Sequence, residues 1–367
     1  MKRREFITKA GIGTAGVIGA GALATPSIAG SHSKTMTIVS TWGRDFPGLG
    51  TSAQRLAARI TELSEGAITT EYFAGGERVA PFDVFDEVAS GNSQAYIAAD
   101  YYWRGTHPGF AYFTAVPMGM NSAEWNAWIK FGGGQELWDK ISGGYGLKAL
   151  PCGSTGCQAG GWFNKEINSA DDLKGLKMRI PGLGGTVMSK LGASPISVPG
   201  SQIYENLVSG AIDACEWVGP WNDYFLKFYE AAKYYYTAGM HEPGSNLCMG
   251  MNASWWGSLS AHEKAIIETC CYEENGYQYM ETMANNGAYL TKLVEEQGVQ
   301  VRNFNDDVWD SFGEAAEEVF EETRDHSALA AEINDAYQGA MREIGGMNAL
   351  FETGYINQRN RILGLEA

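Results

Sequence analysis

The sequence predicts a two-lobed α/β protein with a hinge cleft and a long C-terminal helix. Three observations carry that expectation. Strand-like and helix-like segments alternate from residue 35 to residue 98, and the alternation restarts near residue 155. A stretch from Asp307 to about Ile344 then reads as acidic and helical, almost without breakers. Alternating β and α segments fold as a parallel sheet covered by helices. The 367 residues suffice for about two or three domains. A hydrophobic share of 44% with 19% charged residues is that of a folded globular chain. The net charge of −16 repels phosphate backbones and argues against a nucleic-acid partner.

The first residues read as an address. Lys2-Arg3-Arg4, then Phe6 and Lys9, precede a Gly-rich apolar stretch from Ala10 to Ala24, and Ser27-Ile28-Ala29 offers a small-x-small cleavage site. This is the tripartite pattern of a secretory signal, residues 1–29, and the paired arginines resemble a twin-arginine signal. The expected destination is the periplasm. Gly11-Ile12-Gly13-Thr14-Ala15-Gly16 fits a dinucleotide-binding fingerprint. It fails the context test, because no strand precedes it. Removing this segment takes away more basic than acidic residues, so the remainder is more negative still.

The elements of the remainder follow in order. Thr35–Ser40 alternates and is β-branched, a strand. Leu56, Ala57, Ile60 and Leu63 place a helix over 51–64, followed by a strand over Ala67–Phe73. A short helix over Pro81–Ala89 leads to a strand over Gln94–Ala98 and an aromatic loop, Tyr101 to His107. The second round predicts strands over Gln158–Asn164, Lys177–Ile180, Pro195–Val198 and Ala214–Val218, with helices over Gly182–Leu191 and Ser201–Ser209. Residues 246–252 read as a strand returning to the first unit, and Ser260 to about Gln297 as a helix. The expected lobes are 34–154 plus about 245–300, and 155–244, with 301–367 as the long helix and tail. Ligands bind such folds at the carboxyl ends of the strands. The six cysteines, 152, 157, 215, 248, 270 and 271, make no C-x-x-C pair and read first as buried thiols. Cys152–Cys157 is the pair to suspect if any bridge forms.

No H-E-x-x-H, G-x-S-x-G or P-loop pattern occurs. The informative stretch is Asp171-Asp172-Leu173-Lys174-Gly175-Leu176-Lys177-Met178-Arg179-Ile180-Pro181. It resembles the D-L-K-G-L-K-[MI]-R signature of the solute receptors of tripartite ATP-independent periplasmic (TRAP) transporters. The resemblance extends over essentially the whole chain after the signal, through Thr41-Trp42, Gln202–Asp213 and Glu216-Trp217. Within that family the chain looks most like the α-keto acid receptors, which bind pyruvate and related 2-oxo acids with a metal ion. The resemblance implies a type II-like periplasmic binding protein fold and a non-enzymatic receptor serving TRAP permease subunits. It also implies a homodimer formed through the C-terminal helix, the alternative being a helix strapped across its own lobes. A keto-acid enzyme of the periplasm and a sensor-coupled receptor are the competing readings.

The family arginine falls on Arg179, whose planar fork suits a carboxylate. By the same resemblance Glu216 and the Trp217 main-chain oxygen are metal ligands, Gln158 touches both substrate and metal, and Glu242 is a further metal ligand. Oxygen ligands suit a hard cation, with Na⁺ placed ahead of Ca²⁺. Substrate carboxylate, Glu216 and Glu242 outweigh Arg179, so the charge balance also calls for a cation. Tyr96, Ile97, Ala98 and the Tyr101–Arg104 loop, Tyr101 foremost, come from the first lobe and are candidates to close on the substrate. Packing of that strand into the core is the alternative, and both stay open at this point.

Overall fold

The computed structural model describes residues 33–365. The segment read as a signal, 1–29, lies outside the described residues. Among the described residues, eleven strands form two mixed sheets. The first contains β1 (Lys34–Ser40), β2 (Ile68–Phe73), β3 (Ala95–Ala98), β4 (Leu147–Gly156) and β10 (Ser245–Asn252), in the order β2-β1-β3-β10-β4. The second contains β5 (Gly161–Phe163), β6 (Lys177–Arg179), β7 (Ser194–Ile196), β8 (Ala214–Cys215), β9 (Tyr234–Tyr236) and β11 (Gln300–Arg302), in the order β11-β9-β5-β8-β6-β7. The chain passes from the first sheet to the second between β4 and β5 and returns between β9 and β10. It passes over once more, through a helix spanning Ala261–Glu295, to reach β11.

The wholly parallel reading is corrected. β1 pairs parallel with β2 and β3, but β10 runs antiparallel to both β3 and β4. The longest strand of the first sheet, β4, escaped the sequence pattern because Pro151, Gly153 and Gly156 look like loop residues. Its pairing shows how they are accommodated. The register shifts between Leu247 and Cys248, opposite Pro151–Gly153, so the proline that lacks an N–H sits beside a bulge. Gly153 is required where the long helix crosses: a Cβ there would lie 1.9 Å from Gln278 Oε1.

Helix ends follow local chemistry. Ser260 Oγ accepts from Glu263 N–H at 3.2 Å and Glu263 returns the bond to Ser260 N–H at 2.7 Å, a capping box that starts the long helix. Asn121 and Glu124 do the same for Ser122–Phe131, a helix the sequence pattern did not reveal. The acidic stretch expected as one helix over 307–344 is divided. Asp306–Asp325 forms one helix, Ser327 takes an extended φ of −166° and its Oγ accepts from Ala330 N–H, and a second helical run begins at Ala328. The second run is the long C-terminal helix: it continues through π turns at Met341–Gly345 and Ala349–Thr353 to Leu363. Its first half is strapped to the first sheet's unit, where Tyr337 Oη accepts from Met120 N–H at 2.7 Å and Tyr112 Oη donates to Asn334 Oδ1 at 2.6 Å. No disulfide forms among the described residues. Cys157 is exposed, and the other five thiols are buried.

Candidate functional site

Arg179 ends β6, and Glu216-Trp217 follow the last residue of β8, so all three stand at strand carboxyl ends. The expected strand over Ala214–Val218 stops at Cys215: Glu216 N–H still donates to Arg179 O of β6 at 3.1 Å, but Asp223 takes the donors of Val218 and Gly219. Asp223 Oδ1 accepts from Val218 N–H at 3.2 Å and from Gly219 N–H at 3.1 Å, while Oδ2 accepts from Trp162 Nε1 at 2.9 Å and Tyr235 Oη at 3.0 Å. Burial pushes the Asp223 carboxyl up to about 7 despite these four donors. This buried anchor holds the Glu216–Gly219 turn.

Arg179 is 1% exposed. Its Nη1 donates to the Glu216 carboxylate and, at 2.9 Å, to the Glu216 carbonyl oxygen, and its Nε donates to Val198 O at 3.2 Å. The guanidinium stands over the Trp217 ring, 5.1 Å from its centroid. The outer end of the Trp217 indole in turn packs against Gly200, where a Cβ would come within 2.3 Å of it. The other Glu216 oxygen bonds His241 Nε2 at 3.2 Å.

Gln158 and Glu242 belong to the two segments that pass between the sheets. The Gln158 N–H donates to Glu242 O at 3.0 Å, and Gly239 N–H donates to Gln158 O at 2.8 Å, so the passing segments are bonded side by side. The expected strand over Gln158–Asn164 therefore begins only at Gly161. Glu216, His241 and Glu242 each offer a ligand atom, and these atoms lie within 4.8 Å of one another. Burial, and then the Glu216 charge, push the Glu242 carboxyl up to about 7. Burial works against a charged His241, but the hydrogen bond and charge of Glu216 outweigh it and raise its pKa.

A tight cavity of about 10 Å³, close to the room that one water needs, lies at this point. Arg179, Gln158, Trp217 and Tyr101 line it, whereas Glu216 and Glu242 stand behind the lining. Several polar atoms here are buried without a hydrogen-bond partner: the donors Arg179 Nη2 and Trp217 Nε1, and the acceptors Gln158 Oε1 and both Glu242 oxygens. Orphaned buried polar groups cost about 1–3 kcal/mol each, more when charged. The donors match an anion, and the acceptors are oxygens that match a hard cation.

Three first-sheet candidates are corrected. The Tyr96 hydroxyl donates to Asp100 Oδ1 at 3.0 Å, and its ring packs against Trp103 and over Gly250, where a Cβ would lie 2.1 Å from it. Tyr96 is thus a core residue. Ile97 and Ala98 are buried in β3 and do not line the cavity, whose wall begins at Ala99. Tyr101 and Tyr102 of the candidate loop Tyr101–Arg104 do line it; sequence reasoning passed over Thr155 and Ser245, which also line it, and His241. His241 stands beside Glu242 in the chain, which was the one available signal.

The profile of bacterial extracellular solute-binding protein family 7 (DctP) matches residues 39–326. The chain belongs to this family. It is 36% identical over 360 residues to a monocarboxylate 2-oxoacid-binding periplasmic protein of Nostoc sp., covering 97% of this chain and 98% of that relative. Its fold matches a TRAP periplasmic solute-binding protein of Colwellia psychrerythraea with bound calcium and pyruvate, at a TM-score of 0.86 and 36% identity, covering 89% of this chain and 99% of that one. A TRAP periplasmic solute-binding protein of Pseudoalteromonas atlantica with bound sodium and pyruvate matches at a TM-score of 0.86 and 34% identity, over 89% and 99% of the two chains. This family member therefore has the two-lobed fold of a TRAP solute-binding protein, and it is a receptor by kinship.

Proposed function

We propose that this protein is a periplasmic receptor that captures a small 2-oxo acid of the pyruvate class together with a hard cation and presents it to a TRAP permease. The observation that carries the reading is a set of orphaned polar atoms: donors of Arg179 and Trp217 and an acceptor of Gln158 on residues that line one cavity, and both oxygens of Glu242 behind that lining. Arg179 has one guanidinium nitrogen without a partner, so it can take a carboxylate while keeping Glu216. Gln158 Oε1, Glu216, Glu242 and the Trp217 main-chain oxygen are the residues proposed to hold the cation. When bound, the cation supplies the positive charge that two buried carboxylates and an anionic substrate lack. Tyr101 closes the cavity from the first-sheet side. Export through a twin-arginine signal is part of the same proposal.

Sodium is placed ahead of calcium, and similar relatives carry one of each. Thermal melts of dialysed protein with pyruvate in sodium, calcium and chelator buffers test both the acid and the ion. Ligand at about 100 times its Kd stabilises by roughly 2.7 kcal/mol. A shift that requires both pyruvate and one of the two cations is expected. No shift with any 2-oxo acid overturns the reading.

The outer half of the C-terminal helix supports a homodimer. Leu350 is 77% exposed and Phe351 69%, with Tyr355, Ile362 and Leu363 also exposed. Apolar surface of this kind on a helix is ordinarily covered by a partner. Light scattering is expected to give twice the chain mass, and Phe351→Glu with Tyr355→Glu to return it to a single chain. A wild-type protein with the mass of one chain rejects the dimer.

A further inference from the structure

Arg179 and Gln158 supply polar groups to the cavity lining, and Trp42, Leu49 and Leu247 supply apolar ones. A 2-oxo acid anchored by its carboxylate and keto oxygens must direct its carbon chain away from those polar groups. Leu49 is the informative residue of the three. It begins the helix Leu49–Leu63, directly after a turn at Phe46-Pro47-Gly48.

That turn is tied to elements beyond the first sheet. Pro47 O accepts from Asn222 Nδ2 at 3.0 Å. Gly48 O accepts from Gln278 Nε2 of the long helix at 3.1 Å. The Phe46 ring meets Trp217 edge-on, with centroids 6.2 Å apart. Gly48 itself has φ +74°, a left-handed conformation that favours glycine, and a Cβ there would stand 3.0 Å from the Trp221 ring. Asn222 and Gln278 are 2% and 1% exposed; the Gln278 bond is buried and the Asn222 bond partly so. The turn is therefore held in place by the Trp217–Asn222 segment, whose first residue stacks on the substrate arginine.

We propose that the Phe46–Leu49 turn is the chain-length wall of this receptor, with Leu49 blocking unbranched 2-oxo acids longer than pyruvate. The proposal rests on the 2-oxo acid reading above and goes beyond it by naming the residue that sets the size limit. Asn222 and Gln278 act as positioning residues that keep the wall from yielding. The physics is that of a packed apolar pocket. One methylene of excess or deficit is worth about 10–200-fold in discrimination, provided the wall cannot move.

The test is calorimetric titration of pyruvate, 2-oxobutanoate and 2-oxopentanoate into the wild type and Leu49→Ala, in the same cation buffer. In the wild type, affinity is expected to fall as the chain lengthens. In Leu49→Ala, the affinity for 2-oxopentanoate relative to pyruvate is expected to rise by about tenfold or more. Leu49→Val, which removes a single methylene and disturbs the helix start less, is expected to favour 2-oxobutanoate in the same direction and serves if the alanine variant does not fold. Ratios unchanged in the variants, with the wild type binding pyruvate, overturn the wall and leave the receptor reading standing. A wild type that binds none of the three acids overturns both.

Discussion

Replacing Arg179 with alanine is expected to abolish binding of 2-oxo acids and to lower the stability of the ligand-free protein. Two effects add. The first is loss of the substrate's anchor, the partnerless Nη2. Truncating one member of a buried, hydrogen-bonded charge pair costs about 2–5 kcal/mol of affinity, a factor of roughly 30 to several thousand. The second is the fate of Glu216, which is 0% exposed and paired to Arg179 through both its carboxylate and its carbonyl oxygen. Removing the arginine leaves that carboxylate buried beside Glu242, a loss of about 3–5 kcal/mol. Arg179→Lys separates the effects. It keeps a positive charge for Glu216, so stability largely returns, but it lacks the planar fork, and affinity stays at least about tenfold down. Melting in the absence of ligand and titration calorimetry read the two quantities independently. An alanine variant that binds pyruvate as tightly as the wild type excludes Arg179 as the anchor.

The cation's affinity is expected to fall as pH falls, and Glu242 sets the window. Its carboxyl is raised to about 7 by burial and by the Glu216 charge. A bound cation requires the ionised form, so below pH 7 each unit costs about a factor of ten in apparent affinity, and above pH 8 the dependence levels off. The stability of the cation-free protein is expected to follow the opposite trend. Because the folded pKa lies above the ordinary carboxylate value of 4.5, the group favours folding fully below pH 4.5. That contribution, about 3 kcal/mol, is lost as pH rises through 7. Adding the cation above pH 7 is expected to restore it. Glu242→Gln removes the charge that disfavours the empty site, so it is expected to melt higher than the wild type in chelator at pH 8 and to respond little to added cation. Melting curves over pH 5–8, with and without cation, decide this. A cation response of equal size at pH 5.5 and pH 8 would argue that Glu242 is not a ligand.

The parts of the site that were legible in the sequence were those with local signals. Arg179 sits at the end of a recognisable β6, in a motif of charged and Gly residues, and Glu216-Trp217 follows a short apolar run. Tyr96 misled for a local reason. Its apolar strand has the composition of either a cavity wall or a core, and only the facing Gly250 and the buried Asp100 decide that its ring and hydroxyl turn inward. The break at His326–Ser327 was hidden because serine and aspartate are also found on exposed helix faces. Its capping role depends on an extended φ that periodicity does not encode.

The sequence by itself determined the class of fold and most strand and helix positions, which depend on periodicity, composition and short spacings that act within a few residues. Arg179 and the acids of the site were pointed to by the resemblance of the Asp171–Pro181 stretch to the TRAP receptors. Tertiary structure alone decided the mixed pairing of β10, the meeting of Glu216, His241 and Glu242, and the bonding of the Phe46–Leu49 turn to Asn222 and Gln278. The physical reason is separation along the chain. Pro47 and Asn222 are bonded across 175 positions, and no local pattern reports which distant backbone oxygen a buried amide will find.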